Sequence, residues 1–223
     1  MGDVVLGMCL IGVLYGGWIA VRQDNLKTML AYSSFSHVGL IVAGLFCFTE
    51  EGIQGAMFQS LAHGINVVGL FFIAEILFQR MQTHDLKLMG GLRVSAPVLA
   101  SFFLILMFGS VGLPMTNGFI GEFMLLRALA GYKLWLGVLA GGTVIIGAVY
   151  MLRAFQKSML GGSERETFTL ADLTLREKII LLPMAAMVMV TGVYPKLILQ
   201  ITGPASAKLG ELFNVYLNYS SLN

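Results

Sequence analysis

The sequence predicts an all-α integral membrane protein of about six transmembrane helices, the fourth discontinuous, on three observations. The chain is 57% hydrophobic and only 12% charged, with a mean hydropathy of +0.82, whereas soluble domains carry about 25% charged residues. Its apolar residues fall in six runs, most of them near the ~20 residues a helix needs to cross a ~30 Å hydrocarbon core. The run from Ala96 to Ala130 is too long for one crossing, because at ~1.5 Å per residue a straight helix of that length would reach over ~50 Å; it must be broken.

The first run, Val4 to Val21, has an acidic rather than basic leader and no small-residue cleavage motif behind it, so a true span is expected and not a signal peptide. Leu30 to Phe48 starts at the edge of the polar patch RQDNLK, and its Gly39 and Gly44 suit close helix contact. Ala56 to Phe78 is the third span. In the fourth, Gly112, Pro114, Asn117 and Gly118 place the break, since proline removes a backbone donor and clashes with the preceding turn while glycine lowers the cost of leaving helical geometry. Leu134 to Phe155 carries Gly137, Gly141, Gly142 and Gly147, expected to form a small-residue face for a neighbouring backbone. The sixth span is expected at Ile179 to Leu199, where Pro183 and Gly192 permit a kink. The hydrophilic stretch Gly161 to Lys178 is expected as a loop whose ADLTLREK segment reads as a helix start, and the residues past Leu212 as an interfacial helix or frayed end. No repeat at a fixed period and no internal linker appear, so residues 1–223 are expected to form one transmembrane domain.

Lys and Arg near span ends are retained in the cytoplasm. Arg22, Lys27, Arg80, Lys87, Arg93, Arg153, Lys157, Arg165, Arg176 and Lys178, ten of the fourteen, follow spans one, three and five. Those loops are therefore expected to be cytoplasmic and both termini to face the other side. A net charge of +2, with basic residues dispersed between apolar runs, gives no support to nucleic-acid binding. Cys9 and Cys47 form no CxxC pair or Cys/His cluster and read as small core residues, so no metal site is indicated. Neither a nucleophile–base pair nor a phosphate-binding glycine loop is present to support catalysis on a soluble substrate.

Three ionisable side chains lie well inside spans: His37, His63 and Glu122. A single intramembrane histidine is as readily a hydrogen-bonded helix contact as a functional group, but three such groups on neighbouring spans favour a proton path, since histidine titrates near neutrality and a buried carboxyl can be tuned toward the same range. Ser33, Ser34 and Ser36 surround His37, while Gln59, Ser60 and Asn66 flank His63, and these hydroxyls and amides can hold water or simply join helices. Glu75, near a span end, reads as interfacial. Lys27 is either a solvated anchor or a gate toward the cytoplasm. Two histidines could instead ligate a haem, but their polar neighbours argue for water rather than a macrocycle.

At this point DNLKTMLAYSSFSHVGL (24–40), QSLAHGINVVGLFFIAE (59–75) with RMQTHDLKLMGGL (80–92), and GLPMTNGFIGEFMLL (112–126) together resemble the antiporter-like membrane subunits of respiratory complex I. The resemblance runs from about Gly7 to Tyr194. It implies a non-catalytic subunit of a proton-pumping NADH:quinone oxidoreductase that holds part of a proton channel and binds no redox cofactor itself. Members have roughly fourteen spans with two inverted repeats, each containing a broken helix. This chain matches the ninth to fourteenth spans. The resemblance makes His37 and His63 members of the central hydrophilic axis and Glu122 the acidic residue of the second broken helix, where glutamate rather than lysine marks the chain M, or subunit 4, branch. Lys27 is expected on the proton pathway, and Gly112, Pro114, Asn117, Gly118 and Ser36 as channel-lining or helix-break residues; the resemblance implies a place in a bacterial inner membrane. The expected partners are the lipid bilayer, the other membrane subunits, and the N-terminal half of the same subunit. Related multi-subunit cation/proton antiporters and membrane hydrogenases share the module, and a non-conducting structural fragment is the remaining alternative.

Overall fold

The structure, a computed structural model, describes residues 2–161 and 170–221, with side chains to residue 213. Its elements are α1 (Gly2–Arg22), α2 (Leu26–Leu45), α3 (Glu50–Met81), the short α4 (Leu92–Ser95), α5 (Pro97–Val111), α6 (Asn117–Tyr132), α7 (Leu134–Phe155) running into a π-helical turn (Gln156–Leu160), α8 (Leu175–Val193) and α9 (Lys196–Ser221). Apart from one isolated bridge between Asn25 and Asp85, no strand pairing occurs among the described residues. α3 is the hub, packing against α2, α5, α6, α8 and α9, while α7 closes the bundle against α1 and α6.

Four helices, α1, α2, α3 and α7 with its π turn, are individually long and apolar enough to cross a membrane. The fourth run is divided as the sequence predicts. α5 has 15 residues and α6 has 16, so each reaches only ~22–24 Å and neither crosses a ~30 Å core alone. Gly112 ends α5 at φ 71°, a left-handed conformation that glycine adopts without a Cβ penalty. Pro114 follows two residues later, exposed, where it prevents the helix from resuming. The Thr116 hydroxyl donates to the Leu113 carbonyl at 2.7 Å and to the Phe108 carbonyl at 3.2 Å, tying the far side of the break back to the end of α5. Gly192 of α8 lies against this segment so tightly that a Cβ there would overlap the Met115 carbonyl and the Thr116 backbone.

The sixth run departs from expectation. Instead of one helix from Ile179 to Leu199, α8 ends at Val193 and α9 starts at Lys196, the two bent by 71°. Pro195 is the cause: it has no N–H to donate and it pushes Tyr194 out of the helical region, to φ −125° and ψ 70°. Pro183, by contrast, sits inside an unbroken α8, and the residues past Leu212 continue α9 to Ser221. The glycines of α7 also behave differently from the expected shared face. Gly137 packs on Ala130 of α6, whereas added Cβ atoms at Gly141 and Gly142 would meet nothing within 4 Å among the described residues.

ADLTLREK does start a helix. Thr174 and Glu177 form a reciprocal capping box on α8, and Glu177 also pairs with Arg80 at 2.6 Å. One step earlier, Asp172 accepts from the Val98 and Leu99 amides at 3.0 and 3.1 Å, supplying α5 with the cap that Ala96 and Pro97 cannot.

The loops after α1 and α3 meet the last turns of α7 at one end of the bundle. Leu26 N donates to His84 O and Leu86 N to Asp24 O, at 2.9 and 2.8 Å. The Asp24 carboxylate then gathers Lys87 at 2.7 Å, Arg153 at 2.8 Å and Lys157 at 3.0 Å, and Arg153 also donates to the Val21 carbonyl. Of the basic residues assigned to the loops after spans one, three and five, Arg165 lies outside the described residues. Hydrogen bonds from Lys87 and then Lys157 hold the Asp24 carboxyl down to about 2. A carboxyl lowered in the fold contributes stability above its unfolded value and loses it as pH falls through the folded one. Asp24→Asn is therefore expected to lower the thermal unfolding temperature at neutral pH, in detergent, and to converge with the parent chain as pH approaches about 2.

Candidate functional site

Each central helix carries polar residues between two apolar zones. On α2 the order is Leu30, then Ser33 to His37, then Leu40; on α3 it is Ala56, then Gln59 to Asn66, then Leu70; across the break it is Met107, then Ser110 to Glu122, then Leu125. One buried apolar cluster includes Leu30, Leu70, Phe103 and Met107 and the other includes Leu40, Ala56, Leu125 and Leu129, so the polar groups form a layer closed above and below by hydrocarbon. On α2 that layer, from Leu30 to Leu40, is about 15 Å deep.

Within it the three intramembrane ionisable residues converge. Nδ1 of His37 lies 3.3 Å from Oε1 of Glu122, and the side chains are only 12% and 5% exposed. The His37 and His63 rings are 5.2 Å apart between centroids, tilted by 31°. Nε2 of His63 is 3.0 Å from the Ser34 hydroxyl, and Gln59 Nε2 donates to Glu122 Oε1 at 3.5 Å. Asn66 Nδ2 donates to Asn117 Oδ1 at 3.1 Å, joining α3 to the first turn of α6.

Local geometry explains the convergence. Helical Cβ atoms lean toward the N-terminus, so Glu122, little more than a turn into α6, sends its carboxylate back into the break. Gly112 leaves the room for it: a Cβ there would overlap Oε2 and stand 3.0 Å from the carboxyl carbon. Gly121 does the same for Gln59, since a Cβ would overlap its Oε1. Among the described residues nothing donates to the buried Gln59 Oε1 and Asn66 Oδ1, which makes them acceptors suited to water, because a buried polar atom without a partner is costly.

The other predicted site residues lie around this centre. Asn117 and Gly118 are buried at the start of α6, and Pro114 is exposed at the break. The Ser36 hydroxyl donates to the Val13 carbonyl at 2.7 Å, so it joins α1 to α2 and faces away from the cluster. Lys27 is not brought in. It sits in the first turn of α2, half exposed, with Nζ 3.8 Å from Glu75, ten residues and so ~15 Å along the helix from His37. No cluster of metal-ligating side chains occurs among the described residues. One participant escaped the sequence reading: Tyr150 of α7, 2% exposed, whose hydroxyl is 2.8 Å from Ser33 Oγ and 3.5 Å from His37 Nε2. A tyrosine in mid-span needs a partner for its phenol, and that need was its only signal.

Residues 1–147 match the family described as NADH:quinone oxidoreductase/Mrp antiporter, TM. The chain belongs to this family. It is similar to NADH-quinone oxidoreductase subunit M of Rickettsia bellii, 39% identical over 198 residues that cover 88% of this chain and 40% of that protein. Among solved structures it is similar to a chain of respiratory complex I from Thermus thermophilus with bound NADH, at a TM-score of 0.89 and 34% identity, covering 95% of this chain and 44% of that one. A chain of the Mrp complex from Dietzia sp. shares the fold, at a TM-score of 0.87 and 19% identity over 94% of this chain and 47% of that one. The chain therefore spans about two-fifths of the length of the curated relatives it matches.

Proposed function

We propose that this chain forms the C-terminal part of a proton-translocating membrane subunit of a bacterial NADH:quinone oxidoreductase, folded as one transmembrane domain. The observation that carries the proposal is the His37–Glu122 pair, 3.3 Å apart inside a polar layer closed by apolar clusters on both sides. Such a pair has two arrangements of one proton, imidazolium with carboxylate or imidazole with carboxylic acid, and in a low-dielectric layer a modest change of field shifts the balance between them. In the proposed mechanism His63 and His37 pass a proton to Glu122. A charge change in a neighbouring subunit, driven by redox chemistry elsewhere in the complex, then sets when Glu122 releases it. The break from Gly112 to Gly118 supplies the space and the water sites that exchange requires.

Lys27 with Glu75 is placed at the cytoplasmic mouth, and Pro114 and Asn117 frame the break. Ser36 holds α2 in position. The loops after α1, α3 and α7 face the cytoplasm. The partners are the other membrane subunits of the complex, the remainder of the same subunit and the lipid bilayer, and the chain itself holds no redox group.

The test is Glu122→Gln in the assembled oxidoreductase, with proton translocation read against NADH oxidation in vesicles. Translocation unaltered by the substitution would overturn the proposal. The Mrp antiporter part of the family's description favours a second reading, cation/proton exchange, which predicts acidification that follows a cation gradient and not NADH.

A further inference from the structure

We propose that Tyr150, oriented by Ser33, is a further positioning residue of the proton path: a hydroxyl switch on the Nε2 side of His37 that lets the ring alternate between its two charge states. The inference rests on the proton-path reading above and extends it to α7. His37 has a polar neighbour at each ring nitrogen, Glu122 Oε1 at 3.3 Å from Nδ1 and the Tyr150 hydroxyl at 3.5 Å from Nε2. Tyr150 in turn lies 2.8 Å from Ser33 Oγ, one helical turn before His37 on α2. Both hydroxyl-bearing residues are 2% exposed, so neither can turn to bulk solvent for a replacement partner.

Two hydroxyls in series do what one cannot. While the His37–Glu122 pair holds no transferable proton, neutral His37 keeps its hydrogen on Nδ1, facing the Glu122 carboxylate, and offers a lone pair at Nε2. Tyr150 then donates to His37 and accepts from Ser33. An imidazolium has a proton on Nε2 as well; Tyr150 must then accept from His37, and its own O–H turns to Ser33 Oγ. Once Nδ1–H has passed to Glu122 the remaining hydrogen is on Nε2 and Tyr150 accepts, as it does from the imidazolium. A hydroxyl is donor and acceptor at once, so the same heavy atoms satisfy both states by rotation of two O–H bonds, and no covalent bond at Tyr150 is made or broken. A phenylalanine in its place would leave Nε2–H of the imidazolium buried without an acceptor, which penalises the charged state more than the neutral one, where only a neutral hydrogen bond to Nε2 is lost. The titratable groups that face His37 are Glu122 from α6, His63 from α3 and Tyr150 from α7; α1 lies behind Ser36 and meets it through Val13 and Gly17.

The experiment is the pH profile of NADH-driven proton translocation by the assembled complex with Tyr150→Phe, Ser33→Ala or Ser33→Thr. Tyr150→Phe is expected to slow translocation severalfold and to move the alkaline limb of the profile to lower pH by about one unit, the size of a lost hydrogen bond to a charged group. Ser33→Ala is expected to move it in the same direction by less, and Ser33→Thr, which keeps the hydroxyl, to restore it. An unmoved profile in Tyr150→Phe, whether or not the rate falls, assigns the phenol to packing and overturns the inference. If Tyr150→Phe does not assemble, an unmoved profile in Ser33→Ala overturns it equally. Glu122→Gln run alongside separates the two levels. Should it leave translocation intact, the proton-path reading itself fails; should it stop translocation while Tyr150→Phe behaves as the parent, only the hydroxyl switch is lost.

Discussion

Glu122→Gln is expected to leave the complex assembled and to reduce proton translocation to the level of passive leak. The side chain is 5% exposed and meets His37, Gln59 and Gly112 on three sides. Glutamine fills the same volume and still offers an oxygen to His37 Nδ1–H and to Gln59 Nε2, so the stability change should stay within about 1 kcal/mol. What it cannot do is take the proton. Two companion variants locate the effect. Glu122→Asp keeps the acid but draws it back by one carbon–carbon bond, about 1.5 Å, toward the α6 backbone and away from His37; a reduced but nonzero rate is expected. Glu122→Ala strands the buried His37 and Gln59 donors and should cost about 1–3 kcal/mol, seen as a lower unfolding temperature of the purified complex. If all three variants lost activity only in proportion to lost stability, the carboxyl would be a packing group.

The elements of this site were unevenly legible in the sequence. His37, His63 and Glu122 stand out because ionisable groups in apolar runs are costly, and the break stands out because proline and three glycines lie within Gly112 to Gly121. That the three ionisable residues share one layer needed the structure, since it depends on how α2, α3 and α6 pack. Lys27 could be read from the sequence as an anchor or a gate, and only the fold shows its distance from the centre: ten residues of helix separate it from His37 by ~15 Å, with buried Leu30 between them. Tyr150 was hidden because a tyrosine in an apolar span is unremarkable until its hydroxyl is seen beside Ser33 and His37. Pro195 was visible, yet the apolar character of Leu197 to Leu199 carried the expected sixth span through it. The glycines were least legible. Gly141 and Gly118 look alike in the sequence, but one faces open space and the other faces backbone.

That contrast sets up the largest structural effect expected here. Gly118→Ala should cost about 3 kcal/mol, the upper end of the usual range for overpacked sites, because its Cβ would overlap the Gly109 carbonyl oxygen and stand 3.4 Å from the Gly112 Cα. Both obstacles are backbone, so no rotamer change relieves them; only separation of α5 from α6 does. Separation would in turn move Glu122 away from the pocket that Gly112 leaves for it, so any protein that does assemble should translocate poorly even where NADH oxidation persists. Gly141→Ala is the matched control, the same methyl added to an apolar helix where nothing lies within 4 Å. It should be neutral or slightly stabilising, since alanine is the better helix former. The measurement is the yield and thermal unfolding of the assembled complex for the two variants. Equal behaviour would mean that α5 and α6 do not approach at Gly109 and Gly118 in the membrane, and that the carboxylate of Glu122 is held by something other than the break.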